Sequence, residues 1–175
     1  MTSSHEDPAC EVAHGHAPVP ATEGRVLVAV FASPVADFLL RYARDAGYRT
    51  VLVEPDAERA KPMLDAAEAT TDAVRREPGG PADVVVTDHH RPELGPVLRD
   101  ALAADARWVG VLGNPRHPAP HIPALTELGV PPDEIARVHR PVGLNIGSRA
   151  PAEIAIATLA GLIADRNGRP GGFEF

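Results

Sequence analysis

Apolar positions along the chain fall into two alternating rhythms. Val26 to Phe31 is an unbroken run of strand-forming residues, bounded by turn formers. Such a run is expected of a strand covered on both faces. A helical period follows at 35–45, with Val35, Phe38, Leu39, Tyr42 and Ala46 on one side and Gly47 as the stop. Thr50 to Val53 reads as a second buried strand and Val84 to Val86 as a third. Between them, 57–77 is Ala-rich and charged and reads as loop with helix, broken by Pro78-Gly79-Gly80-Pro81.

The rhythm continues to the end. Positions 92–104 form an amphipathic helix with Leu94, Val97, Leu98, Ala101 and Leu102 on one face. Trp108 to Leu112 is a fourth strand and 121–128 a helix stopped by Gly129. Pro131 to Glu134 opens a short turn, and Val138 lies in a short fifth strand. Positions 141–149 form a loop. A long apolar helix at 151–165 has Pro at its start and Asn167-Gly168 past its end. Buried strands alternating with helices predict right-handed βαβ units, hence an α/β, Rossmann-like three-layer fold with a mostly parallel sheet. The predicted domain covers 25–166. Residues 1–24, rich in Pro, His and Ala, and 167–175 read as loose tails.

Composition narrows the function. At 175 residues the chain suits one domain, which buries about 70% of its unfolded surface without a metal or disulfide staple. A formal charge of -7 argues against nucleic acid and anionic membranes as partners. The single cysteine, Cys10, precludes an intrachain disulfide and fits a cytoplasmic setting. No stretch approaches the roughly 20 apolar residues of a membrane span. Cys10, His14 and His16 make too loose a cluster for a closed zinc site, so no metal is expected.

Ligands of open parallel sheets bind at the carboxyl ends of the strands, so the segments after each strand are the candidates. The first turn, Phe31-Ala32-Ser33-Pro34, lacks the glycines of a dinucleotide site, although Glu54 ends strand two in the usual ribose-binding position. Ser33 and Glu54 are cofactor-binding candidates on position. Asp88, His89 and His90 follow strand three and offer proton transfer, ligand contact or simple capping. Gly113, Asn114 and Arg116 follow strand four, and the Arg fork suits phosphate or carboxylate. Gly143, Asn145 and Gly147 precede the last helix, whose free N–H groups can form an anion site, with Glu153 as its cap or a crevice residue. No catalytic residue is assigned.

These motifs together resemble the XdhC/CoxI family. The likeness rests on Val84-Val85-Val86-Thr87-Asp88-His89, Trp108 to Asn114, His139-Arg140-Pro141-Val142-Gly143-Leu144-Asn145-Ile146-Gly147-Ser148 and Pro151-Ala152-Glu153-Ile154-Ala155 in that order. The resemblance implies an accessory factor in the maturation of molybdenum hydroxylases. Such a factor holds the molybdenum cofactor, molybdopterin, through sulfuration by a cysteine desulfurase and insertion into the apoenzyme. It also implies a homodimer, and a separate chain carrying the family's N-terminal domain as a partner. The sequence departs from the family where Asn145 replaces the Asp of many relatives and Asn114-Pro115 a Ser followed by a basic residue. Two other readings stay open: an NAD(P)-binding oxidoreductase, and a structural subunit that binds no small ligand.

Overall fold

A computed structural model describes residues 12–14, 24–63, 68–70, 74, 81–104, 106–114 and 116–172. Cys10 and His16 lie outside the described residues. Among the described residues, six strands form one sheet: β1 (Val26–Val30), β2 (Arg49–Val53), β3 (Glu68–Thr70), β4 (Ala82–Val86), β5 (Trp108–Val111) and β6 (Val138–His139). Their order is β3-β2-β1-β4-β5-β6, and every pairing is parallel. The chain winds outward from β1 to β3, returns to β4 beside β1, and winds the other way. The order therefore reverses between β1 and β4, where a crevice opens at the carboxyl edge.

Helices cover the sheet: α1 (Pro34–Asp45), α2 (Ala57–Ala60), α3 (Leu94–Ala103), α4 (His121–Glu127), α5 (Pro132–Ile135) and α6 (Pro151–Arg166). The continuous apolar runs are explained by burial on both faces. Val26, Val28 and Val30 pack with Val84, Val86, Leu98 and Leu125 on one side of the sheet. Leu27 and Ala29 pack with Leu39, Leu40, Leu159 and Leu162 of α1 and α6 on the other. Helix α1 starts at Pro34 with Ser33 as its cap, the Ser33 Oγ accepting from Ala36 N–H at 3.1 Å.

One expectation needs correcting. The segment 57–77, read as loop with helix, also holds the edge strand β3, in register with Val51, Leu52 and Val53. Its Glu-Ala-Thr sequence has no apolar run to announce it; the unpaired edge of β2 supplies the partner. A further difference is Asp83, at the amino end of β4. It is fully buried and receives Arg107 at 2.5 Å and Arg166 at 2.8 Å. Arg107 also bonds Asp165 at 2.6 Å. This network joins β4, the entry to β5 and the last turn of α6.

Candidate functional site

Three carboxyl-edge segments, following β4, β5 and β6, converge on one cavity of about 750 Å³. Of the sequence candidates, His89, Gly113, Asn114, Arg116, Gly143, Asn145 and Gly147 line it, and Arg149 joins them. Val35, Leu112, Val142, Leu144 and Ile154 supply apolar wall. Apolar walls with a few convergent polar groups are the usual make-up of a small-molecule site. The lining carries two arginines and a histidine but no carboxylate, in a chain of net charge -7. Among the described residues, neither Arg116 nor Arg149 has a carboxylate partner.

The cavity walls are positioned by local geometry. Asn114 Oδ1 accepts from Arg116 N–H at 3.0 Å, which curls the segment after β5. Arg140, which follows β6, then locks that curl by donating to Asn114 O at 2.9 Å and His117 O at 3.1 Å. Gly113 makes this possible, because a Cβ there would stand 2.9 Å from the Arg140 guanidinium. Sequence reasoning missed Arg140 as a site residue, since the coupling is visible only once β5 and β6 are known to be neighbours.

The two loop glycines differ in kind. Gly143 has φ 82, and a Cβ would come within 2.8 Å of Ala157 and Thr158 backbone atoms. Its neighbour Leu144 donates its N–H to Ala157 O at 3.0 Å, stitching the loop to the middle of α6. Gly147 has φ 70, and a Cβ placed there would find nothing within 4 Å. It is a turn glycine in open space. At the start of α6, Ser148 Oγ accepts from Ala150 N–H at 3.0 Å and bonds Glu153. Glu153 thus stays with the loop leading into its own helix, but through the Ser148 hydroxyl and not as a cap of a backbone N–H.

His89 sits between the cavity and the rest of the sheet edge. Its ring lies against that of His90, tilted by 38° with centroids 4.1 Å apart. Burial, then the neighbouring His90 and Arg140 charges, hold its pKa below 6.5, against a hydrogen bond to the Leu112 backbone and the Asp88 charge. Its imidazole is therefore neutral at neutral pH. Asp88 and His90 fall outside the cavity: Asp88 Oδ1 accepts from His90 N–H at 3.0 Å in a local turn.

Ser33 and Glu54 fall outside it too, at the carboxyl ends of β1 and β2. Ser33 Oγ donates to Thr87 Oγ1 at 2.9 Å, tying the first turn to β4. Glu54 is fully buried and accepts from Ala32 N–H at 2.8 Å and Asp56 N–H at 3.0 Å. Arg91 clasps the same carboxylate with two nitrogens, at 3.3 and 3.2 Å. Among the described residues, no group of three or more His, Cys, Asp or Glu is placed to hold a metal ion.

Comparison with known proteins adds three findings. Residues 27–162 match the family model described as the XdhC Rossmann domain. The uncharacterised protein YqeB of Escherichia coli (strain K12) is 34% identical over 104 residues, which make up 59% of this chain and 18% of that protein. A crystal structure described as a xanthine dehydrogenase from Bacillus halodurans aligns with a TM-score of 0.64 at 24% identity, over 83% of this chain and 43% of that one. Likeness at that identity speaks for the fold alone. The chain spans less than half the length of either relative.

Proposed function

Since the chain belongs to the XdhC Rossmann-domain family, we propose that it is an accessory factor in molybdenum hydroxylase maturation, holding the molybdenum cofactor in the cavity over β4, β5 and β6. One observation carries the reading: an acidic chain gathers two unpaired arginines and no carboxylate around a cavity sized for a small molecule. Such a lining favours an anion, and the cofactor's pterin bears a phosphate. The residues present fit that group. Arg116 and Arg149 would take the phosphate. The side-chain amides of Asn114 and Asn145 offer both donors and acceptors, as the edge of a pterin requires. His89, neutral and half-buried, would offer the bound ring system a hydrogen-bond partner. When bound, the cofactor carries the redox-active molybdenum that the recipient enzyme uses; this chain's part is to bind, orient and shield it.

The partners that follow from this role are the apoenzyme, a cysteine desulfurase and a chain bearing the family's N-terminal domain, with a cytoplasmic setting and a homodimeric state. No helix among the described residues is long and apolar enough to cross a membrane. The oxidoreductase reading has less support, because the Ala32 N–H that a dinucleotide phosphate would use is engaged by Glu54.

The test is co-expression with a molybdenum hydroxylase, followed by purification of this chain and measurement of molybdenum and of the pterin's fluorescent oxidation product. The cofactor is expected to travel with the wild-type chain and to be depleted in Arg116→Ala Arg149→Ala. Purification of a folded wild-type chain free of pterin, while the hydroxylase is loaded, would falsify the proposal.

A further inference from the structure

In a Rossmann sheet the carboxyl ends of the first two strands ordinarily take a dinucleotide. The turn after strand one gives its backbone N–H groups to the pyrophosphate, and the acidic residue ending strand two takes the ribose. In this chain the Ala32 and Ala36 N–H groups and the Glu54 carboxylate are already engaged, which leaves only the N–H groups of Ser33 and Val35 in that turn. Ala32 N–H donates to Glu54, Ala36 N–H donates to Ser33, and Pro34 has no N–H to give. Glu54 has no solvent exposure and also takes Asp56 N–H and both terminal nitrogens of Arg91. Two backbone N–H groups and a guanidinium fork form the kind of donor set that binds a phosphate or carboxylate. Here it already has its anion.

The setting reinforces the closure. The Arg91 guanidinium lies over the Phe31 ring, 4.7 Å from its centroid. Phe31 is itself fully buried, at φ 70, in the left-handed region that bulky residues seldom enter. It follows β1 directly, where a dinucleotide site wants small residues. Glu93 holds Arg91 from the far side at 3.2 Å. An incoming pyrophosphate would have to displace a tethered carboxylate and strand it without donors inside the protein.

We propose that the crevice over β1 and β2 is closed from within, with the Glu54 carboxylate standing in for the anion a Rossmann turn would bind. The chain then refuses nucleotide pyrophosphates there, and ligand binding is confined to the cavity over β4, β5 and β6. Glu54 and Arg91 are the specificity-determining pair. The closed crevice is separate from the cavity assigned to the cofactor, so either proposal can fail alone.

Removing the internal anion should uncover the site. In Glu54→Ala the donors around Ala32, Asp56 and Arg91 are left facing a space of carboxylate size, and formate is the probe. Thermal unfolding of the full chain, followed by Trp108 fluorescence, should shift upward by several degrees with formate in Glu54→Ala and far less in wild type. Formamide, of similar size but uncharged, should shift neither. A folded Glu54→Ala that formate and formamide affect alike overturns the proposal. The second arm is a calorimetric titration with NADH and with pyrophosphate, using Arg116→Ala Arg149→Ala so that the other cavity does not compete. No binding is expected; saturable binding of either ligand overturns the proposal. Should Glu54→Ala not fold, this titration, with Glu54 intact, decides alone by the same criterion.

Discussion

Arg116 and His121 show two opposite fates of an ionisable side chain. Arg116 is exposed at the cavity rim, and its guanidinium has no carboxylate partner among the described residues. Arg116→Ala should weaken binding of a phosphate-bearing pterin by about ten- to a hundredfold, the worth of one charged hydrogen bond. Calorimetric titration checks it, and an unchanged affinity removes Arg116 from the site. His121 is 5% exposed, with its Nδ1 buried and unpartnered. Burial first, and the Arg140 charge second, press its pKa below 6.5. Between that depressed value and 6.5 the unfolded chain holds a proton that the folded chain does not. Stability is therefore complete above about pH 7 and falls as pH drops through 6.5, levelling off once the folded imidazole is protonated. His89, depressed for similar reasons, adds to the same limb. Urea midpoints measured from pH 8 to 5 should show this decline. His121→Leu should make it shallower, and an unchanged acid limb in that variant would assign it to other groups.

At the scale of elements, the loop between β6 and α6 depends on Gly143 more than on Gly147. Gly143→Ala places a methyl group against the α6 backbone at a positive φ, so it should cost about 1–3 kcal/mol by overpacking. Gly147→Ala meets no atom and carries only the left-handed penalty, about 1–2 kcal/mol. Paired denaturation curves test the ranking, and a larger loss at Gly147 would reverse it. Much of this scale was legible in the sequence. Of the six strands among the described residues, four announce themselves by apolar runs because a doubly covered strand has little polar face to interrupt it, and β6, two residues long, shows only Val138. Strand β3 does not announce itself, because three residues with no apolar run are recruited by a neighbour's free edge. The loops after β4, β5 and β6 were legible as candidates from the sheet rule, which nominated the ends of β1 and β2 equally. Their internal wiring was not. That Gly113 makes room for Arg140 depends on two strands lying side by side, and a spacing of 27 positions in sequence carries no hint of it. Position likewise pointed to Glu54 as a ribose ligand, while its actual partners come from the first turn and from Arg91.

Across the whole molecule, the ion network and the cavity lie at opposite edges of the sheet. Asp83 is fully buried between Arg107 and Arg166 at the amino edge, so Asp83→Ala leaves the partly buried Arg166 without its counter-charge and Arg107 with Asp165 alone. The loss should be about 3–5 kcal/mol in chemical denaturation, as for other broken buried pairs. Binding of the pterin by the fraction that stays folded should not change, and a parallel loss of affinity would mean that the two edges are coupled. The relatives are longer than this chain, so any surface that meets a neighbouring domain or subunit is to be sought by comparing the chain alone with the chain in complex.

Helix α6 touches both edges. Arg166, its last residue, is clamped to Asp83, while Ile154 and Ala157 in its first two turns face the cavity. The rod is thus moored at its stern and carries ligand-facing groups at its bow. Loops at the bow can thus be rewritten for a different ligand while the mooring stays intact.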